Sequence, residues 1–101
     1  DKAAFACLAS RFPYGVQITQ EKLAAVDAVE TKLRELGFRQ FRVRHHGDVA
    51  RIEVEPDEIV RTMDENIRNE LVKTGHNAGF KYVAVDLQGY RTGSMNEGLE
   101  S

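Results

Sequence analysis

Three places in this chain carry residue types that could do chemistry. The first is Cys7, the only cysteine, at the head of the string Cys7-Leu8-Ala9-Ser10-Arg11-Phe12-Pro13-Tyr14-Gly15. One thiol cannot staple a fold, and alone it cannot hold zinc or an iron–sulfur cluster, which need several ligands. Its chemistry would be that of a nucleophile or a sulfur donor, and the plain alternative is a small buried hydrophobe. Arg11, four residues on, would favour the thiolate, and Ser10 with neighbouring backbone amides would hold an anion. No histidine is spaced to serve as a partner base, which leaves a protease-like Cys–His pair without support.

The second place is a basic stretch. Arg39, Arg42, Arg44 and Arg51, with His45 and His46, lie in residues 39–51 with a single acid, Asp48. Arginines two apart on a strand point the same way, so Arg42 and Arg44 form a pair of planar forks suited to phosphate or carboxylate. Arg51 could join them on that face, and Asp86, which shares its parity, would restrain the cluster. The plain alternative is a solvated strand surface that blocks edge-to-edge pairing. His45 and His46 are adjacent, so a regular strand sends them to opposite faces, and no cysteine or acid sits at a familiar ligand spacing; no metal site is assigned. His76 reads as a capping or surface residue.

Glu30 is the third. It stands seven residues after Leu23, four after Val26 and three before Leu33, at the border of an apolar helical stripe. A carboxylate there needs an arginine, a metal or a bound substrate, unless it snorkels outward to Lys22 or Arg34.

The elements that must position these groups follow from periodicity. Thr19 is an N-cap, Glu21 suits the helix dipole, and Leu23, Val26, Val29, Leu33 and Leu36 recur at three- and four-residue steps, so residues 20–36 are predicted helical. Gly37 supplies the C-terminal cap, and residues 38–45 alternate as a strand. A tight connection, His46-Gly47-Asp48, leads to a second alternating strand over 49–55. Pro56 opens a second helix whose Ile59, Met63, Ile67 and Leu71 repeat every fourth residue to about Ala78, although Gly75 could end it early. Gly79-Phe80 opens a strand over 81–87.

The strings Leu36-Gly37-Phe38-Arg39-Gln40-Phe41 and Ala78-Gly79-Phe80-Lys81-Tyr82-Val83 repeat one punctuation: helix end, glycine, aromatic, basic residue, strand. With a short strand at 14–18 the order becomes βαββαβ, an α+β two-layer ferredoxin-like sandwich with both helices on one face of an antiparallel sheet. Pro13 and Gly15 disfavour pairing there, and the alternative is αββαβ with three strands. The expected divisions are a motif segment at 1–13 carrying the cysteine, an α+β domain at 14–88, and a loop or flexible tail at 89–101.

At 101 residues the chain fits one domain able to bury a core without disulfides. Its formal charge of −2 argues against a nucleic-acid partner. No aromatic stacking pair marks the polar strand face, which leaves a ferredoxin-like RNA binder without support. No apolar run approaches a membrane span and no signal peptide is apparent, so a reducing cytoplasm is the expected location.

The strings Cys7–Gly15, Leu36–Asp48, and Asp86-Leu87 with Gly89-Tyr90-Arg91-Thr92-Gly93-Ser94-Met95-Asn96 together resemble the carboxy-terminal part of the LarE family. These are ATP-dependent sacrificial sulfur transferases of the PP-loop ATP-pyrophosphatase superfamily. The resemblance implies adenylation of a carboxylate on a pyridinium mononucleotide, a thioester through the motif cysteine, and cleavage of that cysteine's carbon–sulfur bond. Dehydroalanine and a thiocarboxylate remain, the latter destined for the nickel-pincer cofactor of lactate racemase. Cys7 matches the donor position; Arg42 and Arg44 match residues that bind phosphate or substrate anion; Glu30 matches an acidic or metal-proximal position; Ser10 and Arg11 are carried over as anion-binding. The PP-loop string is missing, since no Gly-Gly pair occurs. The expectation is therefore a fragment without its amino-terminal ATP-binding domain, inactive alone, with ATP and magnesium bound by that domain, and a homo-oligomer when whole. The competing expectation is an oligomerisation or substrate-docking module with no chemistry of its own.

Overall fold

A computed structural model describes residues 11–90. Helix α1 spans Gln20–Glu35; the Thr19 hydroxyl accepts from Lys22 N at 3.2 Å, and Ala25, Val26, Val29, Glu30 and Leu33 are buried. The helix closes at Gly37, φ 93°, where Gly37 N donates to Arg34 O and Phe38 N to Leu33 O, both at 3.1 Å. That pair of bonds is a Schellman cap, and it satisfies carbonyls the helix cannot. Strands β1 (Phe41–His46) and β2 (Val49–Val54) form the expected hairpin, with Val43 opposite Ile52 and Arg42 opposite Glu53.

A 3-10 segment, Pro56–Met63, follows, then α2 at Glu65–Asn77 and β3 at Tyr82–Val85. The single helix expected from Pro56 is therefore broken. Asp64 takes an extended conformation, φ −59° and ψ 132°, and its side chain caps α2 by accepting from Ile67 N. In the tighter segment the repeat is three residues, so Ile59 and Thr62 turn inward and Met63 is exposed. Gly75 does not end α2. A Cβ there would run into Val83 Cγ2, so the glycine lets the helix approach β3.

The sheet order is β1-β2-β3, with α1 packed against β1, α2 against β3, and the helices against each other, giving two layers. Val43, Ala50, Ile52 and Val54 face the helices and meet Val29, Leu33 and Leu71 in the core. Two expectations are corrected. The sheet is mixed, because the 3-10 segment and α2 form a crossover that returns the chain parallel to β2, with Ile52 opposite Val85. No strand forms at 14–18; Val16 N turns back to Pro13 O and Gly15 sits at φ 85°, so αββαβ is the order among the described residues. The ferredoxin-like order, which needs a strand between β2 and β3, is not what these residues build. The motif residues 1–10 and the tail 91–101 lie outside the described region.

Candidate functional site

β1 is an edge strand, and its outward N–H groups need partners. Val43 N donates to Glu30 Oε2 at 3.0 Å, and His45 N donates to the backbone carbonyl of Arg11 at 2.6 Å. Arg11 Nε donates to the same Glu30 oxygen at 2.7 Å. The stripe-edge carboxylate thus has an arginine and a backbone amide, and the snorkelling alternative with Lys22 or Arg34 is not adopted. Beside Arg11, buried Phe12 stacks on the His45 ring at 5.3 Å, and Phe80 meets the same ring at 5.1 Å in a tilted arrangement.

Next to this contact an open cleft of about 650 Å³ is lined by Arg11, Glu30, Arg34, Arg39, Phe41 and Tyr90, among others. Helix α1 supplies Glu30 and Arg34, and its Schellman cap delivers Arg39 and Phe41 to the opposite wall. Arg34 lies 5.5 Å from the Phe41 ring centroid, and Arg42 lies 5.8 Å from that of Tyr90. Glu30 is committed to Arg11 and Val43, so Arg34 and Arg39 leave the lining net positive around two aromatic faces. Such a surface suits a flat anion.

Arg44 behaves differently from Arg42. It forks onto Glu53, Nε to Oε2 at 3.0 Å and Nη2 to Oε1 at 3.3 Å, with Arg44 and Glu53 only 4% and 1% exposed. Arg51 Nη2 adds a third contact to Glu53 at 3.2 Å, and Asp86 stands 3.8 Å from Arg51 Nε. Asp86 stands against Arg51, at the looser distance, and Glu53 is the main partner of Arg44. Sequence reasoning missed that role, although the cross-strand pairing of Arg42 with Glu53 was a usable signal. It also missed Arg34 and Tyr90, which reach the cleft only through tertiary packing.

Of the sequence-derived candidates, the fold brings Arg11 and Glu30 into contact at the cleft, sets Arg42 at its margin through Tyr90, and turns Arg44 into the Glu53 pair. Cys7 and Ser10 lie outside the described residues. Among the described residues His45 Nδ1 is buried without a hydrogen-bond partner, and burial, then the Lys22 charge, holds the ring below the usual histidine pKa. Among the described residues no group of three or more His, Cys, Asp or Glu converges to hold a metal ion.

No protein-family model matches the chain. Over 98% of its length it is 44% identical to the pyridinium-3,5-bisthiocarboxylic acid mononucleotide synthase of Lactiplantibacillus plantarum, of which it covers 35%. The chain is similar to part of that synthase. It is also 48% identical, over 98% of its length, to an uncharacterized protein of Synechocystis sp., covering 37% of it. An uncharacterized protein of Methanocaldococcus jannaschii is 33% identical over 85% of the chain, which covers 33% of that relative. The chain therefore spans about a third of the length of the curated relatives it matches.

Proposed function

We propose that this chain is the carboxy-terminal, sulfur-donating part of a LarE-type sulfur transferase in nickel-pincer cofactor biosynthesis, with Cys7 as the sulfur source. The observation that carries this reading is the 44% identity, over 98% of the chain, to a synthase named for a bisthiocarboxylic acid product. A thiocarboxylate needs a sulfur donor, and Cys7 is the chain's single thiol.

In this reading ATP, held with magnesium by a PP-loop domain outside this chain, supplies activation of the acceptor carboxylate. The Cys7 thiolate attacks the activated acyl carbon, a carbon–sulfur bond forms, and the activating group leaves with its electron pair. Removal of the Cys7 Cα proton then drives elimination: the Cβ–S bond breaks, its electron pair stays on sulfur, and the thiocarboxylate departs from dehydroalanine. The cleft holds the acceptor. Arg34 and Arg39 take its anionic groups, Phe41 and Tyr90 flank its ring, and Arg42 and Ser10 complete the anion contacts, a charge-assisted and partly bidentate arrangement. The whole protein acts in the cytoplasm as a homo-oligomer.

The test is intact-mass measurement of the full-length protein after turnover with ATP and a pyridinium mononucleotide carboxylate. The expected product is a polypeptide lighter by the elements of hydrogen sulfide, with dehydroalanine at Cys7 and one sulfur delivered per chain. Many turnovers with Cys7 intact would overturn the reading. Exposed Tyr82 and Leu87 at the β3 side favour a docking role as the second reading. A strictly monomeric full-length protein by light scattering would count against that role.

A further inference from the structure

We infer that residues 11–12 are a strap that anchors the Cys7 segment to the β1 edge, with Glu30 as the positioning residue that locks it. The inference rests on the reading of Cys7 as sulfur donor, and assigns Arg11 and Glu30 to holding the donor instead of the acceptor.

The geometry behind it is a closed set of contacts. On the outer edge of β1, the Val43 and His45 amides both point away from β2, and each is taken by a different group: the Glu30 carboxylate and the Arg11 carbonyl. The Arg11 side chain then returns to the same carboxylate oxygen. Backbone and side chain of one residue are thereby held at two places, His45 of β1 and Glu30 of α1, the latter itself bonded to the Val43 amide. An exposed ion pair would do little, but these side chains are 16% and 10% exposed, and the shared oxygen makes each bond depend on the others. Phe12 adds an apolar anchor, 4% exposed, seated on the His45 ring. No fourth strand lies on this edge among the described residues, so the strap is what covers it.

The consequence for Cys7 is set by chain length. Cys7 and Arg11 are four positions apart, so whatever path the chain takes, the Cys7 Cα stays within about 14 Å of the Arg11 Cα. Arg11 and Glu30 both line the cleft, so a fixed Arg11 confines the thiol to the neighbourhood of the proposed acceptor. Freeing residues 11–12 removes that confinement and leaves the acceptor contacts of Arg34 and Arg39 in place.

The experiment compares the intact protein with Arg11→Ala, Glu30→Gln and Phe12→Ala, with Arg11→Lys as the conservative variant. Hydrogen exchange over residues 41–46, measured against 49–54, reads the strap directly and needs no sulfur transfer. Release is expected to speed exchange of the Val43 and His45 amides by about tenfold, with β2 unchanged. Arg11→Lys is expected to recover part of the protection. A nitroxide attached to Cys7 reads position: it is expected to broaden signals near Phe41 and Val43 in the parent, and Phe12→Ala and Glu30→Gln are expected to relieve that broadening. In single turnover at saturating acceptor, Phe12→Ala is expected to slow dehydroalanine formation by about 10- to 100-fold while acceptor affinity stays within about twofold. Unchanged exchange in the three disruptive variants, or unchanged broadening, would overturn the strap. Faster exchange with an unchanged turnover rate, or loss of affinity at constant rate, would overturn its positioning role. A parent protein that never forms dehydroalanine refutes the sulfur-donor reading alone, because exchange and broadening still decide the anchor.

Discussion

The chain builds one helix–glycine–phenylalanine–strand unit twice and uses the copies differently. The caps match bond for bond: Gly37 to Arg34 and Phe38 to Leu33 in the first, Gly79 to His76 and Phe80 to Gly75 in the second. What differs is the residue three positions inside each cap. In the first it is Leu33, fully buried, which fills the space between helix and sheet; in the second it is Gly75, and Val83 of β3 occupies the space a side chain would take. The first unit consequently keeps its strand at arm's length and surrounds it with charge: Arg61 caps Leu36 O at 2.7 Å and covers the Phe38 ring, Glu30 and Arg11 line the edge, and the cleft opens beside them. The second unit is closed by direct contact and exposes Tyr82 and Leu87. One local motif thus supports either a site or a seam, according to whether its last turn carries bulk.

The strongest way to break this contrast is to unbalance the charged unit. Glu53→Ala strands Arg44 in a buried position and is expected to cost about 3–5 kcal/mol in urea unfolding, whereas the double change Arg44→Met with Glu53→Leu should fall near neutral. Comparable losses from both would show that the pair is not an ionic unit. In the seam, Gly75→Ala should gain a little helix propensity and lose more to the Val83 overlap, for a net cost of about 1–3 kcal/mol at unchanged m-value. A stabilised variant would contradict the close approach.

How much of this was legible follows from the range of each interaction. The α1 boundaries, the existence of the hairpin and both caps are written in local signals: Thr19, the 3.6 period, Gly47, and glycine followed by phenylalanine. The break at Asp64 was hidden because Ile59, Met63, Ile67 and Leu71 satisfy a helical period that the 3-10 segment does not follow. Parallel pairing of β3 was also hidden, since sheet order depends on whether a further strand occupies the place beside β2. Within the site, Glu30 announced that it needed a partner, and Arg11 was among the candidates for other reasons; their contact joins positions nineteen residues apart. Arg44 carried the right charge for an anion site, but its parity also faces Glu53, and the buried carboxylate wins.

Two smaller effects sharpen the comparison. Gly37→Ala and Gly79→Ala force a left-handed residue at equivalent points, where a Cβ meets only Arg61 Nη2 at 3.5 Å in the first and nothing within 4 Å in the second. Each is expected to cost about 1–2 kcal/mol, and the two should agree within about 0.5 kcal/mol; a larger gap would show that the caps are not equivalent. The last is a pH effect centred on His45 of the first unit. The His45 pKa is lowered in the folded state by burial and then by Lys22. The unfolded chain therefore binds the proton more readily, so the neutral ring's contribution is fully present above about pH 6.5 and is lost as pH falls through the folded value. His45→Phe should flatten that slope in a pH series of unfolding midpoints, and an unaltered slope would assign the dependence elsewhere, His46 being the next candidate.

The parallel pairing of β2 with β3 also bears on the order of assembly. The hairpin closes across Gly47-Asp48 alone, a short loop with little entropy to lose, so it can form as soon as residues 41–54 meet. β3 cannot join until the 3-10 segment and α2 have crossed the sheet and Gly75 has seated against Val83. The second unit is therefore expected to join last, and the charged edge of β1 to organise before the domain is complete.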